Sequence, residues 1–386
     1  MNLYVSIESI CIMDNNKPSN WVTDLEPLVN GTISTDLNII LISHRGNYKD
    51  IAKQLDSNSL ANVYFIARSD SASFKTFILQ HPGKNILLGP KKEDMFKASN
   101  LKILFLCPMW ANEIDALAQK YGTNIISIDS LIKILKILSV RKNFYYQLDV
   151  DKKTTVYALT SANNYGATET ESQLIDIFRN TLKQGNRQYF SAVLFYLLSS
   201  IMENPDLRET NLWGIMPSSG TNFNQEMLEI KDHCRYLTGN RVKDPIFIRH
   251  TQTTKSHQTQ KNQRLFIGAK KHLDTIEINP KYKQKIKGKT VCILDDYVTN
   301  GTSFEALRNL LEAAGARRIF FIAIGRFRSR DNNGLGSYQK ENYSFSGDIF
   351  GPNNKAKLDD KWVDFGKNGF YDESAKASLV KLTKLL

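Results

Sequence analysis

The stretch Val291-Cys-Ile-Leu-Asp295-Asp296-Tyr297-Val298-Thr299-Asn300-Gly301-Thr302-Ser303, running on through Phe304 to Gly315, decides how the rest of the chain is read. Four apolar residues predict a buried strand that stops at two adjacent carboxylates. A short polar turn containing Gly301 follows. Phe304, Leu307, Leu310, Leu311 and Ala314 then recur at helical spacing, with Gly315 where a C-cap belongs. Such a strand-turn-helix aims free N–H groups and the positive end of a helix dipole at one spot, which suits an anion, phosphate above all. Asp295 and Asp296 cannot attract phosphate. They can accept hydrogen bonds from hydroxyls or help hold Mg²⁺. Together the two features fit a ribose 5-phosphate group.

Working outward, 386 residues predict two or three domains, with 41% hydrophobic and 23% charged residues, as in an ordinary globular protein. No apolar run approaches the ~18 residues that would span a bilayer, so no membrane partner is expected. Cys11, Cys107, Cys234 and Cys292 are scattered, with no CxxC pair. A disulfide framework or zinc site is not expected, and the compartment that fits is the cytoplasm. The net charge of +12 is concentrated: residues 231–289 carry 15 basic and 4 acidic side chains. That region fits a polyanionic small molecule or a nucleic acid.

Residues 1–145 alternate short apolar strands (Leu3–Cys11, Asn38–Ser43, Val63–Ala67, Ile86–Gly89, Leu101–Leu106, Asn124–Ile128) with helix candidates at 47–55, 71–79, 91–98, 113–121 and 129–138. This predicts a doubly wound parallel sheet. Periodicity breaks over 139–155, where charge and aromatics cluster, and a second α/β domain is expected over 150–386. In it, Thr155–Leu159, Leu212–Met216 and Ile246–Arg249 read as further strands. A final amphipathic helix, Asp372–Leu386, carries Leu379, Val380, Leu382 and Leu385; it covers the core or meets a protein partner.

The 291–303 stretch resembles the phosphoribosyl pyrophosphate (PRPP) loop of the type I phosphoribosyltransferases: an apolar strand, two acids, two variable residues, then Thr-x-Gly-x-Ser/Thr. With Ala314-Gly-Ala-Arg-Arg-Ile319 and the apolar run after it, the likeness is greatest to the ComF-like branch, over about residues 205–330. The resemblance implies a Mg²⁺- and PRPP-dependent transferase. Asp295 and Asp296 would hold ribose hydroxyls and metal; Thr299, Asn300, Gly301, Thr302 and Ser303 would hold the 5-phosphate. Ser218, Ser219, Gly220 and Thr221 end a strand and are small enough to wrap a pyrophosphate, with Asn222 or Asn224 as the branch's Asn. Arg249 and Arg264 match the branch's two arginines around a polar loop, 251–264, that also holds Lys255; such cations would stabilise the departing pyrophosphate. Purine-type members place Asp where this chain has Thr299, so a 6-oxopurine acceptor is not expected.

Residues 1–145 resemble a haloacid-dehalogenase (HAD)-like domain. Ser43 and Lys91 or Lys92 match that family's phosphate-binding hydroxyl and lysine. Where the family has its nucleophilic Asp and a second Asp two residues on, this chain has Ser6-Ile7-Glu8-Ser9, and of the acidic metal motif only Asp94 remains. A phosphatase is therefore not expected, and the domain is read as a module that binds a ligand or a partner protein. The other function class left open is an effector or nucleotide-sensing, nucleic-acid-associated component of a bacterial stress or retron-type antiphage system. It rests on analogy between families.

Overall fold

The computed structural model describes residues 1–14, 17–21, 37–43, 63–220, 224–252, 266–328, 337–362 and 369–386. The chain divides into two compact units. One comprises Met1–Arg141, Tyr236–Gly239 and Lys381–Leu386, the other Lys142–Arg235 and Asn240–Val380. The division after Arg141 falls earlier than the 145–150 boundary read from the sequence, because Tyr146–Asp149 is a strand of the second unit's sheet.

The first unit is built on β1 (Asn2–Ser6), whose five residues are all buried. After a single 3-10 turn come a hairpin, β2 (Cys11–Asp14) and β3 (Lys17–Trp21), and then β4 (Asn38–Ser43) and β5 (Val63–Ala67). Helices α1 (Ser71–Gln80), α2 (Lys92–Leu101), α3 (Ala116–Tyr121) and α4 (Ile128–Val140) alternate with β6 (Asn85–Leu88), β7 (Leu104–Pro108) and β8 (Thr123–Ile125). The strands form one parallel sheet in the order β5-β4-β1-β6-β7-β8. Parallel strands covered on both faces need unbroken apolar runs, and Leu3–Val5 and Ile39–Ile42 supply them. α4 shows the helical counterpart: Ser127 caps its N-terminus, and Leu131, Ile134, Leu135 and Leu138 form its buried stripe. The helix expected over 47–55 lies outside the described residues.

The second unit contains β9 (Tyr146–Asp149), β10 (Thr154–Ser161), α5 (Glu169–Gln184), α6 (Phe190–Glu203), β11 (Leu212–Ile215) and α7 (Gln225–Leu237). A two-stranded ladder follows, β12 (Phe247–Arg249) with β13 (Ile276–Ile278). Then come β14 (Thr290–Val298), α8 (Thr302–Ala313), β15 (Arg318–Arg326), the hairpin β16 (Lys340–Ser346) and β17 (Lys355–Trp362), β18 (Phe370–Tyr371) and α9 (Ser374–Leu382). The main sheet runs β11-β14-β15-β10-β9-β18. Its first four strands are mutually parallel; β9 is antiparallel to β10 and to β18. Both units are thus α/β, the first sheet wholly parallel and the second mixed.

The final helix is shorter than expected, and Ala375, Leu379 and Leu382 on its stripe are buried within the chain. Among the described residues no helix is long and apolar enough to cross a membrane.

Candidate functional site

β14 does not stop at Leu294. It continues beside β15 through Val298, with Asp295 opposite Ala323, Tyr297 opposite Gly325 and Val298 opposite Arg326. The acids thus belong to the strand's carboxyl-terminal portion, at the edge where open α/β sheets take ligands. Both are half-buried. Asp295 Oδ1 accepts the N–H of Asp296 at 2.9 Å, and Asp296 Oδ1 accepts that of Tyr297 at 2.7 Å. Burial, and then the neighbouring Asp296 charge, push the Asp295 carboxyl well above the ordinary carboxylate range. Among the described residues no Lys, Arg or His forms an ion pair with either acid. Two crowded carboxylates without a counter-charge favour a cation or hydroxyl donors between them.

The turn after the acids has a marked polarity. Phe327 N–H and the Arg326 guanidinium donate to Val298 O, and the guanidinium also donates to Thr299 O. Gln339 N–H donates to Asn300 O, and Glu305 N–H donates to Gly301 O. Every carbonyl from 298 to 301 is therefore engaged by a protein donor. The N–H groups of Thr299 to Ser303 have no acceptor among the described residues, and the N-terminus of α8 has no side-chain cap. Its N-cap, Gly301, has φ +76°, and a Cβ there would lie 2.2 Å from the Tyr338 ring. Only glycine meets both conditions.

Tyr338 belongs to a strap that the sequence did not reveal. Ser337 O accepts from Asn300 Nδ2 at 2.8 Å, and the Tyr338 hydroxyl donates to Glu305 Oε1 at 2.7 Å. Glu305 Oε2 takes two N–H groups of Arg308 and the N–H of Glu341. Glu305 and Arg308 are both fully buried. This network ties the start of α8 to the 337–341 segment and holds the turn from behind.

Met216 N–H donates to Leu294 O, so the Ser218-Ser219-Gly220 turn leaves the sheet on the strand adjacent to the acid pair. Arg249 is 5% exposed, and its guanidinium is spent on protein acceptors: Ser218 O at 2.5 Å, Thr275 Oγ1 at 2.5 Å and Pro217 O at 3.3 Å. Its fourth neighbour is His272 Nδ1 at 3.4 Å. Burial, with Lys271 and Arg249 nearby, pushes His272 well below its ordinary range, so the imidazole is neutral and can accept. Burial lowers Arg249 to about 10, which leaves it charged at neutral pH. Arg249, expected from the resemblance to meet pyrophosphate, also clamps the turn expected to do so. Tyr297 packs its ring on Gly325 and beside Phe327, and its hydroxyl is buried without a partner among the described residues. Thr221, Asn222, Lys255 and Arg264 lie outside the described residues.

No protein-family model and no curated protein matches this chain.

The carboxyl edge of the first sheet carries a different cluster, centred on Arg68, which follows β5. Its Nη2 donates to Glu8 Oε2 at 2.5 Å and Ser6 Oγ at 2.7 Å, and lies 3.3 Å from Asp94 Oδ1. Asp94 is 1% exposed and lies against Gly89, where a Cβ would be 2.4 Å from Oδ2. Lys91 is paired with Glu113 at 2.8 Å. A guanidinium thus sits between Glu8 and Asp94, the acids at the positions compared with the HAD-like metal site. Among the described residues no three metal-ligating side chains come together, here or elsewhere.

Burial raises Asp94 to about 7 against the pull of Arg68, whereas Arg68 holds Glu8 below its ordinary range despite burial. Between about pH 4 and 7 the folded state therefore binds the extra proton at Asp94, and stability falls as pH rises through that window. The expected loss is on the order of 4 kcal/mol at most. Neutral His272 acts oppositely below about pH 6.5, so the comparison with Asp94→Asn isolates the Asp94 contribution. Urea unfolding at pH 4.5 and 8 should show a fall in stability with pH that is larger in the parent chain than in the Asn variant.

Proposed function

We propose that the second unit binds PRPP at the carboxyl end of β14 and transfers its phosphoribosyl group to an acceptor. The observation that carries this reading is the polarity of the 298–303 turn. Its carbonyls are consumed by the protein and its amides are left for an anion, directly after two carboxylates that have no protein cation. The amides suit a 5-phosphate. The carboxylates suit the ribose diol, which plain phosphate lacks. The turn also carries the hydroxyls of Thr299, Thr302 and Ser303, which can add bonds to phosphate oxygens.

The acid pair also fits Mg²⁺ that takes its remaining oxygens from the ligand, as Mg²⁺ commonly does. When bound, that ion would neutralise charge developing on the departing pyrophosphate. The chain's own contribution is to hold the ribose with Asp295 and Asp296 while the Ser218–Gly220 turn, fixed by Arg249, lines the pyrophosphate side. Thr299 supplies no general base at neutral pH, so the acceptor is expected to bring a nucleophile that is already competent. The first unit, in which Arg68 occupies the space between Glu8 and Asp94, is proposed as a binding module without phosphoryl-transfer chemistry.

The test is release of pyrophosphate from PRPP and Mg²⁺ across a panel of nucleobase and amine acceptors. Acceptor-dependent release is expected. Absence of PRPP binding at millimolar concentration would remove the proposal.

A further inference from the structure

The amino-terminal edge of the second sheet is opposite the acid pair and is crowded with cations. β14, β15 and β10 are adjacent parallel strands, and the residues that lead into them are Lys289, Arg317 and Lys153. Backbone bonds hold these entries together: Arg317 N–H to Lys289 O at 2.9 Å, and Ile319 N–H to Lys153 O at 2.8 Å. Arg318 reaches Lys152 O at 2.7 Å. With neighbouring strands ~4.8 Å apart, the row crosses roughly 10 Å of sheet edge.

The approach to β14 extends it. In Lys281-Tyr-Lys-Gln-Lys-Ile-Lys-Gly-Lys289, Tyr282 and Ile286 are buried, and the alternate lysines are exposed. Lys281 and Lys283 are paired with Asp244 and Asp348. Lys285, Lys287 and Lys289 have no ion pair among the described residues, nor do Lys152, Lys153, Arg317 and Arg318. Asp151, the nearest acid in sequence, is already committed to Lys340 and Arg308. A merely solvated face interleaves both signs, whereas the segments 281–289 and 315–318 contain no acid.

We infer that this edge is a docking surface for the phosphodiester backbone of duplex nucleic acid, read without regard to sequence. Two features select that partner. No large apolar side chain is exposed at 150–153, 281–289 or 315–318, so the surface has neither the apolar insertion of a membrane-binding face nor the aromatic platforms that hold single strands. The cations also stand on strand entries fixed by the sheet, which suits a regular array of phosphates. The inference does not depend on the PRPP reading, since the acid pair lies at the other end of the same strands.

The test is fluorescence anisotropy of the full chain with a labelled mixed-sequence DNA duplex, between about 50 and 200 mM salt. Lys285→Glu/Lys287→Glu/Lys289→Glu should weaken binding at least about tenfold and reduce the slope of log K against log salt by about 2–3. Lys75→Glu/Lys120→Glu/Lys136→Glu changes net charge equally at exposed positions of the first unit and should leave both nearly unaltered. Asp295→Asn should leave both unaltered too. Equal losses in the two triple variants, tighter binding of single strands than of duplex, or binding to phosphatidylserine vesicles with none to duplex would overturn the inference.

Discussion

Asp295→Asn should weaken PRPP binding in the presence of Mg²⁺ by about 10- to 100-fold, measured by calorimetry, with the fold intact. The size follows from losing a charge-assisted hydrogen bond to a sugar hydroxyl, roughly 1.5–3 kcal/mol, at 1.4 kcal/mol per decade. Replacing Asp295 also removes the cost of a buried carboxylate crowded by Asp296, the two causes that push Asp295 up, so the variant should be no less stable than the parent. A stability gain coupled to an affinity loss is the mark of a residue kept for its ligand. If affinity were unchanged, the acids would have no part in holding ribose.

Glu305→Ala should cost about 3–5 kcal/mol, because it leaves the buried Arg308 guanidinium without its principal partner. Glu312 at 2.9 Å and Asp151 at 3.8 Å remain, but both are more exposed than Glu305. For a unit of this size the melting temperature should fall by about 10 °C. Replacing both residues, Glu305→Ala with Arg308→Met, should recover much of the loss, since the stranded charge is then gone. Tyr338→Phe keeps the ring against Gly301 and removes only the hydroxyl bond to Glu305. It should therefore cost far less than Glu305→Ala in the same melting experiment.

The contrast between these residues shows what a sequence can disclose. The strand-turn-helix at 291–315 was legible because its evidence is local: apolar run, acids, glycine, helical period. The parallel sheet of the first unit was legible for the same reason, as its strands carry apolar runs at β-like length. β9 was hidden by its composition. Tyr-Gln-Leu-Asp alternates buried and exposed side chains over only four residues and sits in a charged, aromatic stretch. The β16–β17 hairpin was missed because β17 is mostly exposed and presents no apolar pattern.

Arg249 illustrates a different limit. Its charge is written in the sequence, but the carbonyls of Pro217 and Ser218 that occupy it belong to every residue and carry no signature. Arg68 was passed over likewise, because its acids lie 60 and 26 positions away in the chain. Glu305 and Arg308 stand three apart and could have been paired from the sequence. Their link to Tyr338 and Glu341, more than 30 residues on, could not.

The most direct measurement is a crystal structure of the chain with PRPP and Mg²⁺. A phosphate docked where β14 hands over to α8 should place its oxygens ~3 Å from the amide nitrogens of Gly301 to Ser303, with the ribose hydroxyls on Asp295 and Asp296. Density for PRPP elsewhere, or a turn whose amides prove to be filled by the chain's own side chains, would contradict the account.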